Sequence, residues 1–298
     1  MTASLSPVVA IINPTAGPSR ATDSRRLAER ARRAFAEAGL TSETVFTERE
    51  GHARELATDF VRRGFSPIIA WGGDGTVNEV ASALAFQDTV LGIVPTGSGN
   101  GLARELGISR HPERAIAMMA EGVDRTIDVG ELGGRFFVNL AGIGLDASVA
   151  QLFNHLAGRG LTRYVRATLS TVFGYVAGTY TLTVAEETFE ERAMIVALAN
   201  GRQYGNGALI APHARLDDGL LDLVVVGPRS PLGVLRDARR LFNGTIDGAP
   251  DVNMRTASRV TISASEPILF HVDGEVVHGS DTLTAIAHPG ALRVRVPG

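Results

Sequence analysis

The string Trp71-Gly72-Gly73-Asp74-Gly75-Thr76-Val77-Asn78-Glu79 stands where an apolar run gives way to a helical pattern. Glycines at 72, 73 and 75 let backbone amides approach a ligand closely. Amides at a helix start carry a partial positive charge that suits phosphate. An acid amid an anion site is costly without a cation, so Asp74 points to a bound metal ion or to proton acceptance. A tight turn with Asp74 as helix cap is the plainer alternative, though it needs fewer glycines than are present. A second string, Pro95-Thr96-Gly97-Ser98-Gly99-Asn100-Gly101, again follows a strand and precedes a helix, and its amides and the Ser98 hydroxyl suit phosphates. It lacks the Gly-Lys-Ser/Thr ending of a Walker loop and the spacing of a dinucleotide fingerprint, and alone it reads equally as a plain loop. The third, Asn13-Pro14-Thr15-Ala16-Gly17, is also readable as a simple strand-ending turn. The force lies in combination, since three glycine-bearing strand-to-helix turns on one edge of one sheet converge on one crevice.

The elements that must position these turns are legible as a β-α-β-α-β-α-β series, the mark of a parallel sheet covered by helices. Strands are expected at Val8 to Ile12, Glu43 to Thr47, Pro67 to Trp71 and Val90 to Val94, with helices at Asp23 to Ala38, His52 to Arg63, Gly75 to Leu84 and from Asn100 to Leu106. Thr22 or Asp23 would cap the first helix, and its arginines 25, 26, 30, 32 and 33 read as a solvated face, with anion or membrane contact the lesser reading. From about Asp128 the pattern turns β-rich. Strands are expected at Arg135 to Leu140, Thr179 to Val184, Ala193 to Ala199, Leu220 to Val226, Ser258 to Ser263 and Pro267 to Val272. Helices interrupt at Leu145 to Leu156, near Tyr164 to Tyr175, and at Pro231 to Phe242. The expected organisation is an α/β nucleotide-binding domain over residues 1–128, to which a last strand at 290–298 returns, and a β-rich, sandwich-like substrate domain over 129–289.

Near the end, Asp273-Gly274 is a hairpin signal between Ile268 to Val272 and Glu275 to Val277, and Asp273 and Glu275 either decorate a turn or serve chemistry. Asp128, at the domain boundary, is a solvated residue or a member of a metal and water network. His213, His271 and His278 lack the helical spacing or cysteine partners of a zinc site, and no G-x-S-x-G elbow marks a hydrolase.

Composition narrows the field. The 298 residues are 44% hydrophobic, enough for real cores, and a formal charge of -3 argues against nucleic acid as a partner. Absence of cysteine removes thiol chemistry. No signal peptide is evident at Met1 to Pro7, so a cytoplasmic location is expected. The uncharged stretch Ala167 to Ala185 reads as a helix followed by a strand, not as a transmembrane segment.

Together these strings resemble the diacylglycerol kinase catalytic family, which includes bacterial lipid kinases and sphingosine and ceramide kinases, over nearly the whole chain. Gly-Gly-Asp-Gly-Thr is shared with NAD kinases. The Asn-Pro-x-x-Gly start, the Pro-x-Gly-Ser-x-Asn loop and the late Asp-Gly-Glu point to the lipid-kinase branch. The resemblance implies an ATP-dependent lipid kinase with diacylglycerol or a related lipid as acceptor, a lipid surface as partner and peripheral attachment at the inner membrane face. It implies nucleotide contacts from Asn13, Pro14, Thr15, Ala16, Gly17, Thr47, Gly72, Gly73, Asp74, Gly75, Thr76, Val77, Asn78, Glu79 and Ser98. Glu275 becomes the proton acceptor with Asp273 beside it, and Asp74 organises nucleotide or metal, although sphingosine-kinase-like enzymes give the base role to its equivalent. In Arg215-Leu216-Asp217-Asp218-Gly219-Leu220, a structural Mg2+ is implied on the carbonyls of Arg215 and Leu220 and the carboxylate of Asp218. Gly101 departs from the Asp that many bacterial members carry, which leaves the acceptor open. Leu152, Phe153, Leu156, Tyr164, Val172, Phe173 and Tyr175 read first as core stripes of amphipathic helices, and the apolar entrance that a lipid acceptor needs is the lesser reading of the same residues. A NAD kinase acting on a soluble hydroxyl and a non-catalytic nucleotide- or lipid-binding regulator are the rival readings. The oligomeric state, a homodimer included, stays open.

Overall fold

The computed structural model describes residues 8–17, 24–155 and 174–298. The chain forms two compact units, one from Met1–Ile127 with Gly290–Gly298, the other from Asp128–Pro289.

In the first unit, unbroken apolar runs form a parallel sheet because crossover helices cover them. The strand order is Ser42–Phe46, Val8–Ile12, Ile68–Gly72, Val90–Pro95 and the end of Thr282–Val296, where Arg293 and Val294 lie opposite Val90 and Leu91. Every residue of Val8–Ile12 and Ile68–Gly72 is buried. Helix Ser24–Glu37 packs with Pro112–Glu121, and His52–Arg62 packs with Asp74–Leu84. Ser24–Glu37 buries only Ala31, Ala34 and Phe35, so its arginines form an outer stripe on which Arg30 meets Glu113 and Arg33 meets Glu37. The crossover from Val8–Ile12 leads to one side of it and the next returns to the other. The carboxyl ends of Val8–Ile12 and Ile68–Gly72, with Ile12 opposite Trp71, therefore form the switch point at which open sheets leave a crevice.

The second unit is a sandwich of antiparallel sheets. One sheet runs Val252–Ala257, Leu221–Val226, Ile195–Ala199, Leu140–Gly144, Leu269–Val272, Glu275–His278. The facing layer includes Glu187–Ala193, Gly178–Val184, Arg259–Ser263 and the start of Thr282–Val296. Alternation decides which residues meet: Tyr180, Leu182 and Val184 turn inward from one sheet toward Val196, Leu198, Leu223 and Phe270 of the other. The outer face of the six-stranded sheet carries a smaller core of Leu140, Ala197, Ala199 and Val224 under Ile210 and Ala211, with Leu241 of helix Pro231–Asn243 packed against it.

The expected strand from Arg135 to Leu140 is divided into Arg135–Phe137 in one sheet and Leu140–Gly144 in the other. Val138 and Asn139 form the corner, because their N–H groups turn away from any ladder to the Asp273 carboxylate. Helix Pro112–Glu121 and strands Glu187–Ala193 and Val252–Ala257 add to the expected elements. The segment near Tyr164 to Tyr175 lies outside the described residues up to 173. Of the candidate lipid-entrance residues, Leu156, Tyr164, Val172 and Phe173 lie there too, while Tyr175 packs on the small cluster of Leu145, Val149 and Met194.

Phe137 is fully buried with its ring over Gly130, leaving no space for a β-carbon there. Phe137→Ala should cost about 3–5 kcal/mol in urea unfolding. Gly130→Ala should destabilise the wild type and cost markedly less in the Phe137→Ala background, a coupling that a double-mutant cycle reads.

Candidate active site

In the first unit the three turns after Val8–Ile12, Ile68–Gly72 and Val90–Pro95 touch one another. The Asn13 N–H donates to the Trp71 carbonyl at 2.9 Å, and its Nδ2 donates to Thr76 Oγ1 at 3.1 Å. Asn13 Oδ1 accepts the Thr15 N–H at 3.0 Å and the Thr15 hydroxyl at 2.9 Å, which shapes the first turn. The Thr96 N–H donates to the Gly72 carbonyl at 2.8 Å. Backbones approach so closely that side chains are excluded. A β-carbon on Gly17, whose φ is +94°, would lie 2.8 Å from the Thr96 carbonyl oxygen, and one on Gly97 would lie 2.7 Å from Gly73 Cα.

Asp74 opens helix Asp74–Leu84 and is partly buried. Its Oδ2 accepts the Asn100 N–H at 2.8 Å and its Oδ1 accepts the Gly101 N–H at 2.7 Å. The carboxylate thereby ties the second turn to the third. Asn100 adopts a left-handed conformation at φ +53° and donates through Nδ2 to the Gly97 carbonyl at 2.7 Å. Gly73 offers the helix no side-chain cap, so the first amides, at Asp74, Gly75 and Thr76, have no partner within the helix.

The other expected nucleotide contacts separate into groups. Pro14, Ala16 and Gly17 are half-buried, and Thr15, Gly75 and Ser98 are exposed. Thr47 extends the pairing of its strand by donating to the Ile12 carbonyl at 2.9 Å. Val77 and Asn78 are buried. Both Glu79 oxygens are committed to the start of helix His52–Arg62, accepting the Gly51 N–H at 3.0 Å and the Ala53 N–H at 2.9 Å.

In the second unit, Leu269–Val272 and Glu275–His278 form a two-residue hairpin with φ +47° at Asp273 and +91° at Gly274. These are the signs of a type I′ turn. The Asp273 carboxylate accepts the N–H groups of Val138 at 2.8 Å, Asn139 at 3.0 Å and Leu140 at 2.9 Å. Glu275 is half-buried, and its carboxylate accepts no hydrogen bond from a described residue. Sequence reasoning missed the group behind this turn: buried His271 lies against buried Asp146, whose Oδ1 accepts the Tyr204 hydroxyl at 2.6 Å. Burial pulls the His271 pKa down, but the Asp146 carboxylate, with Asp273 adding, carries the net shift upward. Its only signal in the sequence was Gly142, where a β-carbon would overlap Asp146 Oδ2.

Elsewhere in this unit the 215–220 loop is shaped by carboxylates. Asp128 Oδ2 accepts the Gly219 N–H at 2.7 Å, Asp218 Oδ1 accepts the Leu220 N–H at 3.1 Å, and Arg215 Nε stands 3.5 Å from Asp217 Oδ1. Asp222 is pushed up to about 6, by burial first and by the Asp218 carboxylate second, against the opposing pull of His213. Carboxylates crowded in this way fit a hard divalent cation. Among the described residues no three acidic or histidine side chains are arranged to hold a metal ion by themselves, so an ion here would draw on backbone carbonyls and water as well.

The fold and these sites have counterparts. Residues 7–132 match the diacylglycerol kinase catalytic domain, and residues 139–296 match the YegS C-terminal NAD kinase beta sandwich-like domain. A Pseudomonas fluorescens Pf-5 protein described as "Probable lipid kinase YegS-like" is 35% identical, with 91% of this chain and 90% of that protein covered. The "Diacylglycerol kinase" of Bacillus subtilis 168 is 30% identical, with 89% and 88% covered. A crystal structure of a diacylglycerol kinase from Bacillus anthracis Sterne shares the fold with a TM-score of 0.73 at 22% identity, over 97% of this chain and 96% of that one. Both halves and the full-length relatives agree: the chain belongs to the diacylglycerol kinase-like family of lipid kinases, phosphotransferases with an alcohol group as acceptor.

Proposed function

We propose that the chain transfers the γ-phosphoryl group of ATP to the hydroxyl of a lipid, with diacylglycerol or a close relative as acceptor. One observation carries the nucleotide half of this reading: an uncapped helix start at a sheet switch point, with two further glycine turns packed against it. The lipid half draws on the relatives' descriptions.

Phosphoryl transfer asks for in-line positioning, charge neutralisation and a base for the hydroxyl proton. In this reading the amides of Asn13 to Gly17, those of Gly72 to Thr76, and Ser98 with Thr47 hold the polyphosphate and its nucleotide. Val77, Asn78 and Glu79 serve from behind, by packing and by capping. Asp74 keeps the third turn in place. The acceptor oxygen bonds to the γ-phosphorus, the bond to the β–γ bridging oxygen breaks, ADP leaves, and Glu275 takes the hydroxyl proton. Asp74 and Asp273 already have both oxygens engaged, which favours Glu275 as the base. Magnesium would be held by the Arg215 and Leu220 carbonyls and the Asp218 carboxylate, supplying positive charge to the loop.

Labelled ATP offered with diacylglycerol, monoacylglycerol, ceramide, sphingosine, phosphatidylglycerol and NAD should place label in a lipid; label in NAD, or nucleotide binding with no labelled product, overturns the reading. Glu275→Gln should lower kcat about 10²–10⁴-fold with the KM for ATP little changed. Asp74→Asn should lower turnover at least as far without unfolding the chain, and near-normal activity would refute its place in the site. Magnesium chloride should raise the melting temperature of the wild type by about 3 °C or more at a hundredfold excess over its Kd. That gain should vanish in Asp218→Asn and on addition of EDTA.

A further inference from the structure

We infer that His271 is a positioning residue for Glu275, acting through the Gly274 amide. This inference rests on the reading of Glu275 as base. The Gly274 N–H donates to His271 Nδ1 at 3.3 Å. Nδ1 can accept only while unprotonated, so the ring proton of the working tautomer sits on Nε2. Nε2 lies 2.8 Å from Asp146 Oδ2, within ion-pair reach although its N–H is off the line of a straight hydrogen bond. Asp146 Oδ1 is held in turn by the Tyr204 hydroxyl. A chain of contacts thus runs from strand Gln203–Gly205 through Asp146 on helix Leu145–His155 to the turn that carries Glu275.

The location makes this chain consequential. The His271 and Asp146 side chains are 6% and 5% exposed, so water does not compete for their contacts. Gly142 is what admits them, since a β-carbon there would approach His271 Nε2 at 2.6 Å as well as overlap Asp146. The amide that His271 accepts belongs to the central peptide of the hairpin, between Asp273 and Gly274. Rotating that peptide converts a type I′ turn into type II′, which wants glycine at the first central position, occupied here by Asp273. Asp273 at φ +47° is already in a region that costs a non-glycine residue about 1 kcal/mol or more. Two clamps hold this geometry. The Asp273 carboxylate fixes the first turn residue to the Val138–Leu140 corner, and His271 fixes the second, whose carbonyl leads into Glu275.

Two substitutions separate the two faces of the ring. In His271→Asn, the amide oxygen stands near the place of Nδ1 and can still accept the Gly274 N–H. In His271→Gln, the longer amide reaches the place of Nε2 toward Asp146 and removes the ring nitrogen that accepts the Gly274 N–H. Each is assayed with ATP and whichever lipid takes label in the panel, and kcat is expressed per folded protein from circular-dichroism melts. His271→Asn should keep kcat within about threefold of wild type. His271→Gln and His271→Ala should lose about 10–100-fold in kcat, the scale of a base displaced by about an ångström, with the KM for ATP unchanged. Because Asn leaves Asp146 buried beside a smaller partner, the double variant Asp146→Asn/His271→Asn repeats the comparison without that charge and should also retain kcat. Equal losses in the Asn and Gln variants, or a rise in KM in place of a fall in kcat, overturn the inference. Glu275→Gln measured in parallel keeps the two readings apart. If it stays active, the base assignment fails; if it is inactive while the Asn and Gln variants behave alike, only the positioning role of His271 fails.

Discussion

The first unit depends on backbone meeting backbone at its glycine turns. Between Gly17 and Thr96, and between Gly73 and Gly97, main chains lie so close that one methyl group would part them. A helix start without a cap is ordinarily a weakness of a fold. At a sheet switch point its partial positive charge suits an anion, and the Asp74 carboxylate ties the second turn to the third there.

Asp74 and Asp273 solve the same physical problem in different units. Each is a carboxyl group drawn partly out of water, and each accepts hydrogen bonds from main-chain N–H groups of another segment. Charge-assisted hydrogen bonds of this kind contribute about 1.5–3 kcal/mol, enough to fix a left-handed residue such as Asn100 or Asp273. Glu79 does likewise for a helix start. Acidic side chains that a motif reading assigns to ligand chemistry are thus partly occupied in holding the motif together, and Glu275 differs from them in accepting no hydrogen bond from a described residue.

How much could be read beforehand follows from how local each signal is. The parallel half was legible because fully apolar strands end at glycine turns, and Val8–Ile12, Ile68–Gly72 and Val90–Pro95 lie within one or two residues of their expected limits. Helix Pro112–Glu121 escaped although proline at its first turn and Glu113 beside it were signals. In the second half, Glu187–Ala193 is an edge strand of mostly charged residues. Its hairpin turns through Ala185 at φ +53°, not through Asn-Gly, so neither periodicity nor turn chemistry announced it. The Asp273-Gly274 hairpin was visible as a dipeptide. Its donors at Val138 to Leu140 and its neighbour Asp146 were not, since strand pairing brings together segments far apart in the chain.

The final strand, Thr282–Val296, begins in the second unit and ends in the first, where Arg293 and Val294 align beside Val90 and Leu91. The sheet of the first unit consequently lacks its fifth member until the ribosome has made the whole second unit. During synthesis the flank of Val90–Pro95 stays an open edge, exposed to wrong partners for as long as translation of the rest takes. Order of emergence and order of completion are therefore opposite: the portion born first is finished last.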